Sequence, residues 1–265
     1  MRLLGLRVVR SQDLGRSHSW TLHRVTLEDG REVFVKKGGD FTAEAKGLRW
    51  LGGPSVEVLE VGEGLLVLPW LPSEPATVPM VEETARALAG VHRRGAPRFG
   101  ADWAGDIAGL PLDNSPADDP SGGWREWYAG RRVLPYVRTA RDRGVLEASD
   151  VQEIEAALNR AEQPEEPPAR VHGDLWGGNV LYSRGRGWLI DPAAHGGHRE
   201  TDLAMLALFG TSHLDAFLAA YDEAAPLAEG WRERVPLHQL HPLLVHCVLY
   251  GRSYRDGALA AAKSV

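Results

Sequence analysis

At 265 residues the chain is long enough for a sizeable core and one catalytic unit of two lobes. Its net charge of −6 offers no basic footprint for nucleic acid, and no apolar run reads as an export signal or reaches membrane-spanning length. The single cysteine, Cys247, allows no intramolecular disulfide and sits in an apolar helical pattern as a core residue. The expectation is a cytoplasmic protein that meets neither nucleic acid nor membrane, with a monomer as the simplest oligomeric state.

Near the N-terminus, Ser11 to Trp20 reads as a loop between two strands, with Gly15 its only glycine. Ser17 and Ser19 offer hydroxyl and backbone donors to a phosphate and Arg16 adds charge, whereas His18 reads as an ordinary loop histidine. Glu32-Val33-Phe34-Val35-Lys36-Lys37 alternates as a strand that delivers a lysine. Alternation puts Val33 and Val35 on one face and Phe34 and Lys36 on the other. The choice between Lys36 and Lys37 depends on which face meets a ligand. Phe41 to Leu51 follows as a helix, with Phe41, Ala45, Leu48 and Leu51 on one side and Glu44 in its first turns. A helical Glu is most often a solvated carboxylate. The alternative is an ion pair between Glu44 and Lys36.

Leu65 to Pro72 reads as a buried strand running into a proline-bounded connection. In a two-lobed nucleotide-binding protein this connection is the hinge. Backbone groups of Pro69, Trp70 and Leu71 would then meet an adenine edge, Pro69 only as an acceptor. The rival reading is a plain core strand. Val81 to Arg93 is an amphipathic helix with Ala85, Leu88, Ala89 and His92 on one side. Gly109 to Gly123 reads as a long Pro/Gly/Asp/Ser-rich loop. Trp124, Trp127 and Tyr128 then line either a cleft or the core. Asp150 to Glu162 is a helix, ended by the acidic, proline-rich connector Gln163 to Pro168. Further helices are read over Asp202–Phe209 and Leu214–Tyr221. His238, His241 and His246 do not have the spacing of a zinc signature, and Pro242 interrupts the helix between them.

The most informative segment is His172-Gly173-Asp174-Leu175-Trp176-Gly177-Gly178-Asn179, followed by Leu189-Ile190-Asp191-Pro192. An Asp, an Asn five residues on, and a second Asp closing an apolar strand form the layout of a phosphoryl-transfer centre. Asp174 would accept the proton of an attacking hydroxyl. Asn179 and Asp191 would hold magnesium on ATP phosphates, since that ion takes hard oxygen ligands. Asp202 would either hydrogen-bond the catalytic loop or cap its own helix. Read this way, Lys36 held by Glu44 neutralises phosphate charge. The fold class expected is α+β: a two-lobed protein-kinase-like unit, with an antiparallel β lobe over residues 1–71 and a mainly helical catalytic lobe over residues 72–265.

The chain resembles the fructosamine kinase (ketosamine-3-kinase) family, a branch near the aminoglycoside phosphotransferases and choline kinases. Trp176 within the His172–Asn179 segment is the sharpest discriminator. Asp191-Pro192-Ala193 with Gly197 to Met205, Ile107 to Asn114, Trp124 to Tyr128, Arg131 to Pro135, His241 to His246 and Tyr250 to Tyr254 are also similar to family segments. The resemblance covers nearly the whole chain. It implies magnesium-dependent transfer of the ATP γ-phosphoryl group to a sugar hydroxyl of a ketosamine, free or protein-linked. The 3-hydroxyl is the position implied. The labile 3-phosphate would shed its amine, a deglycation. Trp176 would pack on the apolar face of the sugar.

The chain departs from the family in two places. The nucleotide loop lacks paired glycines and has no cysteine, so the redox-switched dimer implied for some relatives is not supported. Ala194-His195-Gly196 replaces a stretch that is often aromatic, which bears on substrate range. Two other readings stand beside this one. A kinase for a polycationic aminoglycoside or another amino alcohol would need many carboxylates, for which Asp113, Asp118 and Asp119 are candidates. A kinase-like binding module would lack ATP binding altogether.

Overall fold

A computed structural model describes residues 2–17, 19–118 and 123–265. His18 and Asp119 lie outside the described residues. The first six strands are β1 (Arg2–Leu3), β2 (Leu6–Ser17), β3 (Trp20–Leu27), β4 (Glu32–Lys37), β5 (Glu60–Gly62) and β6 (Leu65–Pro69). They form one antiparallel sheet in the order β1-β2-β3-β4-β6-β5. Helix α1 (Thr42–Leu51) crosses from β4.

Alternation decides which sheet face is which. Val33 and Val35 join Val25, Leu27 and Val67 in one apolar cluster. Phe34 packs on the other side, with Phe41, Ala45 and Leu48 of the α1 region and Leu66 and Leu68 of β6. Lys36 is in phase with Phe34 and points toward α1, whereas Lys37 is exposed. The expected Ser11–Trp20 loop is instead mostly strand. β2 runs to Ser17, which pairs with Trp20 of β3. A register shift between Asp13 and Gly15 lets the exposed ribbon twist.

Beyond β6 the chain is mainly helical. α2 (Val78–Arg93) starts three residues before the expected Val81, because Pro79 sits in the first turn, where no N–H is needed. A short hairpin follows, β7 (Gly105–Ile107) and β8 (Leu110–Leu112), so the expected 109–123 loop begins as a strand. Next come α3 (Trp124–Tyr128), a π-helical turn (Ala129–Val133), α4 (Leu134–Asp142) and α5 (Ala148–Arg160). α5 opens two residues before Asp150 because Glu147 and Asp150 form a reciprocal capping box. Strands β9 (Ala169–Val171), β10 (Val180–Ser183), β11 (Arg186–Leu189) and β12 (His195–Gly197) frame the segment from His172 to Asp191. The chain closes with α6 (Glu200–Phe209), α7 (Leu214–Ala224), α8 (Trp231–Tyr250) and α9 (Arg255–Ser264).

Helix α8 corrects one expectation, since it runs through Pro236 and Pro242 without a break. The Tyr128 hydroxyl explains how. It donates to Leu237 O at 2.8 Å and accepts from His241 N at 3.1 Å, so it occupies a gap in the helical ladder beside Pro242. Trp124, Trp127 and Tyr128 are all buried and belong to the core. The two lobes are joined by backbone pairing: Val56 N donates to Leu189 O at 3.0 Å and Leu189 N to Pro54 O at 2.9 Å. No helix among the described residues is long and apolar enough to cross a membrane.

Candidate active site

The segment after β9 is folded by its own polar groups. Gly173 adopts φ +79°, and a Cβ there would lie 2.4 Å from Ala193 O, so only glycine fits. Asp202 of α6 does not cap its helix. Its carboxylate accepts His172 N at 2.7 Å, Gly173 N at 2.9 Å and His92 Nε2 at 3.0 Å. His92 in turn meets the Tyr221 hydroxyl at 2.7 Å. Burial alone would push the Asp202 carboxyl up; the His92 bond, nearby imidazoles and the loop amide outweigh it and hold Asp202 below its ordinary value. His172 Nε2 donates to Ile190 O at 2.9 Å, which ties this loop to the strand end that carries Asp191. Burial lowers the His172 pKa and keeps the imidazole neutral for that role.

Hairpin register then brings the acids and the amide together. Val180 of β10 pairs with Leu189 of β11, and Ile190 N donates to Asn179 O at 3.1 Å. Asn179 Nδ2 donates to the Asp174 main-chain oxygen at 2.8 Å and to Asp174 Oδ2 at 3.0 Å. The Asn179 Oδ1 therefore remains the amide atom suited to a cation. Asp191 sits at φ +53°, an uncommon conformation for a non-glycine residue and one concentrated at functional sites.

Lys36 Nζ lies 2.9 Å from Glu44 Oε1 and 2.6 Å from Asp191 Oδ1. Its ammonium is raised in pKa: burial opposes the charge, but the Asp191 and Glu44 carboxylates outweigh it. Glu44 is pushed up to about 8 by burial and by Asp191, against the attraction of Lys36. Two carboxylates compete for one ammonium, which favours the protonated form of Glu44, and a further cation beside Asp191 would relieve that competition. Asn179 and Asp191 offer hard oxygen donors on one wall, a set that suits magnesium rather than a soft metal. Asp174 is pushed up to about 7, chiefly by burial, with the Asn179 bond opposing and Asp191 and Asp202 adding to the rise.

These side chains face a cleft of about 520 Å³, lined by Lys36, Glu44, Asp174, Trp176, Asn179 and Asp191, with Ser17 and Ser19 at its edge. Trp176 is 42% exposed, and its ring covers Gly178, where a Cβ would fall 2.3 Å from the indole. Pro69, Trp70 and Leu71 are not among the residues that line this cleft. The Trp70 amide donates to Glu32 O at 3.1 Å, its ring lies under the Arg24 guanidinium at 4.6 Å, and Leu71 is buried. Of the departing stretch, Ala194 lines the cleft. His195 is buried, and Gly196 pairs with Gly100 at 2.8 Å in both directions.

Other expectations resolve differently. Asp113 and Asp118 approach Arg131 at 3.5 Å and 2.5 Å, so neither stands free for a polycation. The three C-terminal histidines diverge. His238 meets Thr201 Oγ1 at 2.9 Å, His241 edges onto the Tyr136 ring, and His246 Nδ1 donates to Pro242 O at 2.8 Å. His238 does lie with His198 and Glu200 within reach of one ion, but Arg234 already holds Glu200 at 2.7 Å. Sequence reasoning passed over the far wall of the cleft, which Asp106, Met205, Val245, Leu249 and Tyr250 supply. No motif spacing marks them, because three distant segments contribute.

The sequence model of the fructosamine kinase family matches residues 20–265. The chain is similar to a probable ketoamine kinase of Thermus thermophilus, at 34% identity over 94% of this chain and 89% of that protein. A crystal structure of a probable fructosamine-3-kinase from Thermobifida fusca YX-ER1 superposes at TM-score 0.93, with 48% identity over 99% of this chain and 95% of that one. The aminoglycoside phosphotransferase APH(4)-Ia, in ternary complex with ADP and hygromycin B, superposes at TM-score 0.63 with 16% identity over 97% of this chain and 94% of that one. That last likeness is one of fold, the two-lobed protein-kinase-like fold. With a matching family model over residues 20–265 and a relative at 34% identity over 94% of its length, the chain belongs to the fructosamine kinase family.

Proposed function

We propose that the protein is an ATP-dependent kinase that phosphorylates a sugar hydroxyl of a ketoamine such as a fructosamine or ribulosamine, at the 3-position. The observation that carries this reading is the convergence of Asp174, Asn179, Asp191 and Lys36 on one cleft in a chain of this family. Asp174 accepts the hydroxyl proton as the oxygen attacks. Its raised pKa near 7 suits a base that must take a proton and later release it. Magnesium, when bound, would neutralise charge on the phosphate oxygens, held by Asn179 and Asp191. Lys36, kept in place by Glu44, adds positive charge toward the phosphates. We read residues 1–71 as the nucleotide lobe, with Pro69 to Leu71 at the adenine edge outside the cleft described above. Residues 72–265 form the catalytic and acceptor lobe, with Trp176 against the sugar ring.

The test is magnesium-dependent ATP consumption with a free fructosamine or ribulosamine, beside an aminoglycoside and a no-acceptor control, for wild type and Asp174→Asn. Ketoamine-dependent turnover that falls roughly 10²–10⁴-fold in the variant is expected. Turnover with the aminoglycoside alone would overturn the reading.

A further inference from the structure

The cleft holds five carboxylates, those of Asp40, Glu44, Asp106, Asp174 and Asp191. Four are engaged. Asp40 accepts Thr42 N at 2.9 Å at the start of α1; Glu44 and Asp191 hold Lys36; Asp174 accepts from Asn179. Asp106 has no part in that machinery. It lies on β7, in the mainly helical lobe, and its Oδ1 accepts only Gly109 N at 3.0 Å. Among the described residues no lysine, arginine or histidine pairs with it. The neighbouring wall, from α8, is made by Pro242, Val245, His246, Leu249 and Tyr250, with Tyr250 60% exposed and His246 Nδ1 turned to Pro242 O.

The β7–β8 hairpin that carries Asp106 is only three residues per strand, too short to hold itself. It is held from outside. Ile107 and Leu112 are buried in the helical core. The Tyr136 hydroxyl donates to Pro111 O at 2.9 Å. The buried Arg132 donates to Asn114 Oδ1 at 2.6 Å, and Asn114 Nδ2 donates to Trp103 O at 3.2 Å. The backbone that carries the exposed Asp106 carboxylate is thus set before any ligand arrives.

We propose that Asp106 receives the ammonium of the ketoamine acceptor and so selects amine-bearing ketoses over neutral ones. The inference rests on the ketoamine reading above. A ketoamine differs from a plain sugar by a secondary amine one carbon from the ring, protonated at neutral pH. An N⁺–H···O⁻ bond to a pre-placed carboxylate is a charge-assisted contact, and its loss falls on acceptor binding rather than on the phosphoryl transfer itself. Tyr250 and Trp176 offer aromatic faces that tolerate a cation beside the sugar.

The experiment compares 1-deoxy-1-propylamino-fructose with its neutral 1-O-propyl counterpart as acceptors, for wild type, Asp106→Asn and Asp106→Ala. Asparagine keeps the Gly109 bond and so removes only the charge. Wild type should prefer the amine by about ten-fold or more in kcat/KM. Asp106→Asn should raise KM for the amine about ten-fold, with kcat and the KM for ATP within about two-fold, and bring the preference near one. Asp106→Ala should match it. A preference retained in Asp106→Asn, or an equal loss with both acceptors, would overturn the assignment. Wild type inactive on both acceptors would instead overturn the ketoamine reading itself.

Discussion

At the scale of single residues, the site depends on charges held where water would not leave them. Asp174 titrates near 7 because burial disfavours its ionised form. A base must be ionised to work, so activity is lost as pH falls and Asp174 takes up a proton. The profile of kcat/KM against pH should therefore carry an acidic limb near 7 that is absent from the residual activity of Asp174→Asn. A flat profile between pH 5 and 8 in wild type would show that Asp174 is not held near 7 in the working enzyme. Lys36 and Glu44 were legible as candidates from a strand ending in lysines and a helix close behind it. Which lysine faces inward was not. That answer came from Phe34 packing onto the α1 side, which carries Lys36 with it and leaves Lys37 in solvent.

At the scale of elements, the unexpected feature is α8. Two prolines within one twenty-residue helix contradict local propensity. The Tyr128 hydroxyl, reaching in from α3, fills the ladder beside Pro242. Tyr128→Phe leaves Leu237 O and His241 N without that partner in a buried site. It should cost about 2 kcal/mol, read as a fall in Tm of roughly 4–8 °C, with ketoamine kcat reduced less than the stability change would suggest. A Tm within 1 °C of wild type would show that the helix satisfies these groups some other way. The β2–β3 ribbon is a second case. Its serines and lone glycine read as a loop, yet the strand pairing continues to Ser17, because cross-strand partners on β3 were available only in three dimensions.

At the scale of the whole molecule, the lobes meet through backbone bonds at Leu189, the Lys36–Asp191 ion pair and the packing of Leu51 on Val91 and Ala194, and they share the cleft between them. A ligand that touches both lobes should stabilise the folded chain. Magnesium-ATP at about 100 times its Kd contributes about 2.7 kcal/mol, a rise in Tm of roughly 5–10 °C. The expected thermal shift needs both magnesium and nucleotide. Its absence would favour a kinase-like binding module that has lost ATP. The Ser11–Trp20 segment has a single glycine where the kinase reading expects a glycine-rich loop, and this measurement reports whether the chain binds nucleotide without one.

The sequence alone determined the family, and it marked Asp174, Asn179 and Asp191, with a strand lysine and a helix glutamate, as the candidates for a phosphoryl-transfer site. These are short-range patterns: spacing along the chain sets where each residue falls on a turn or strand. Tertiary structure alone decided the rest. It sorted Trp124, Trp127 and Tyr128 into the core rather than the cleft, set Asp202 on the amides of His172 and Gly173, and brought Asp106 and Tyr250 to one wall of the cleft. Each of these depends on segments about thirty to well over a hundred residues apart meeting at one place, and no periodicity within a single segment encodes such a meeting.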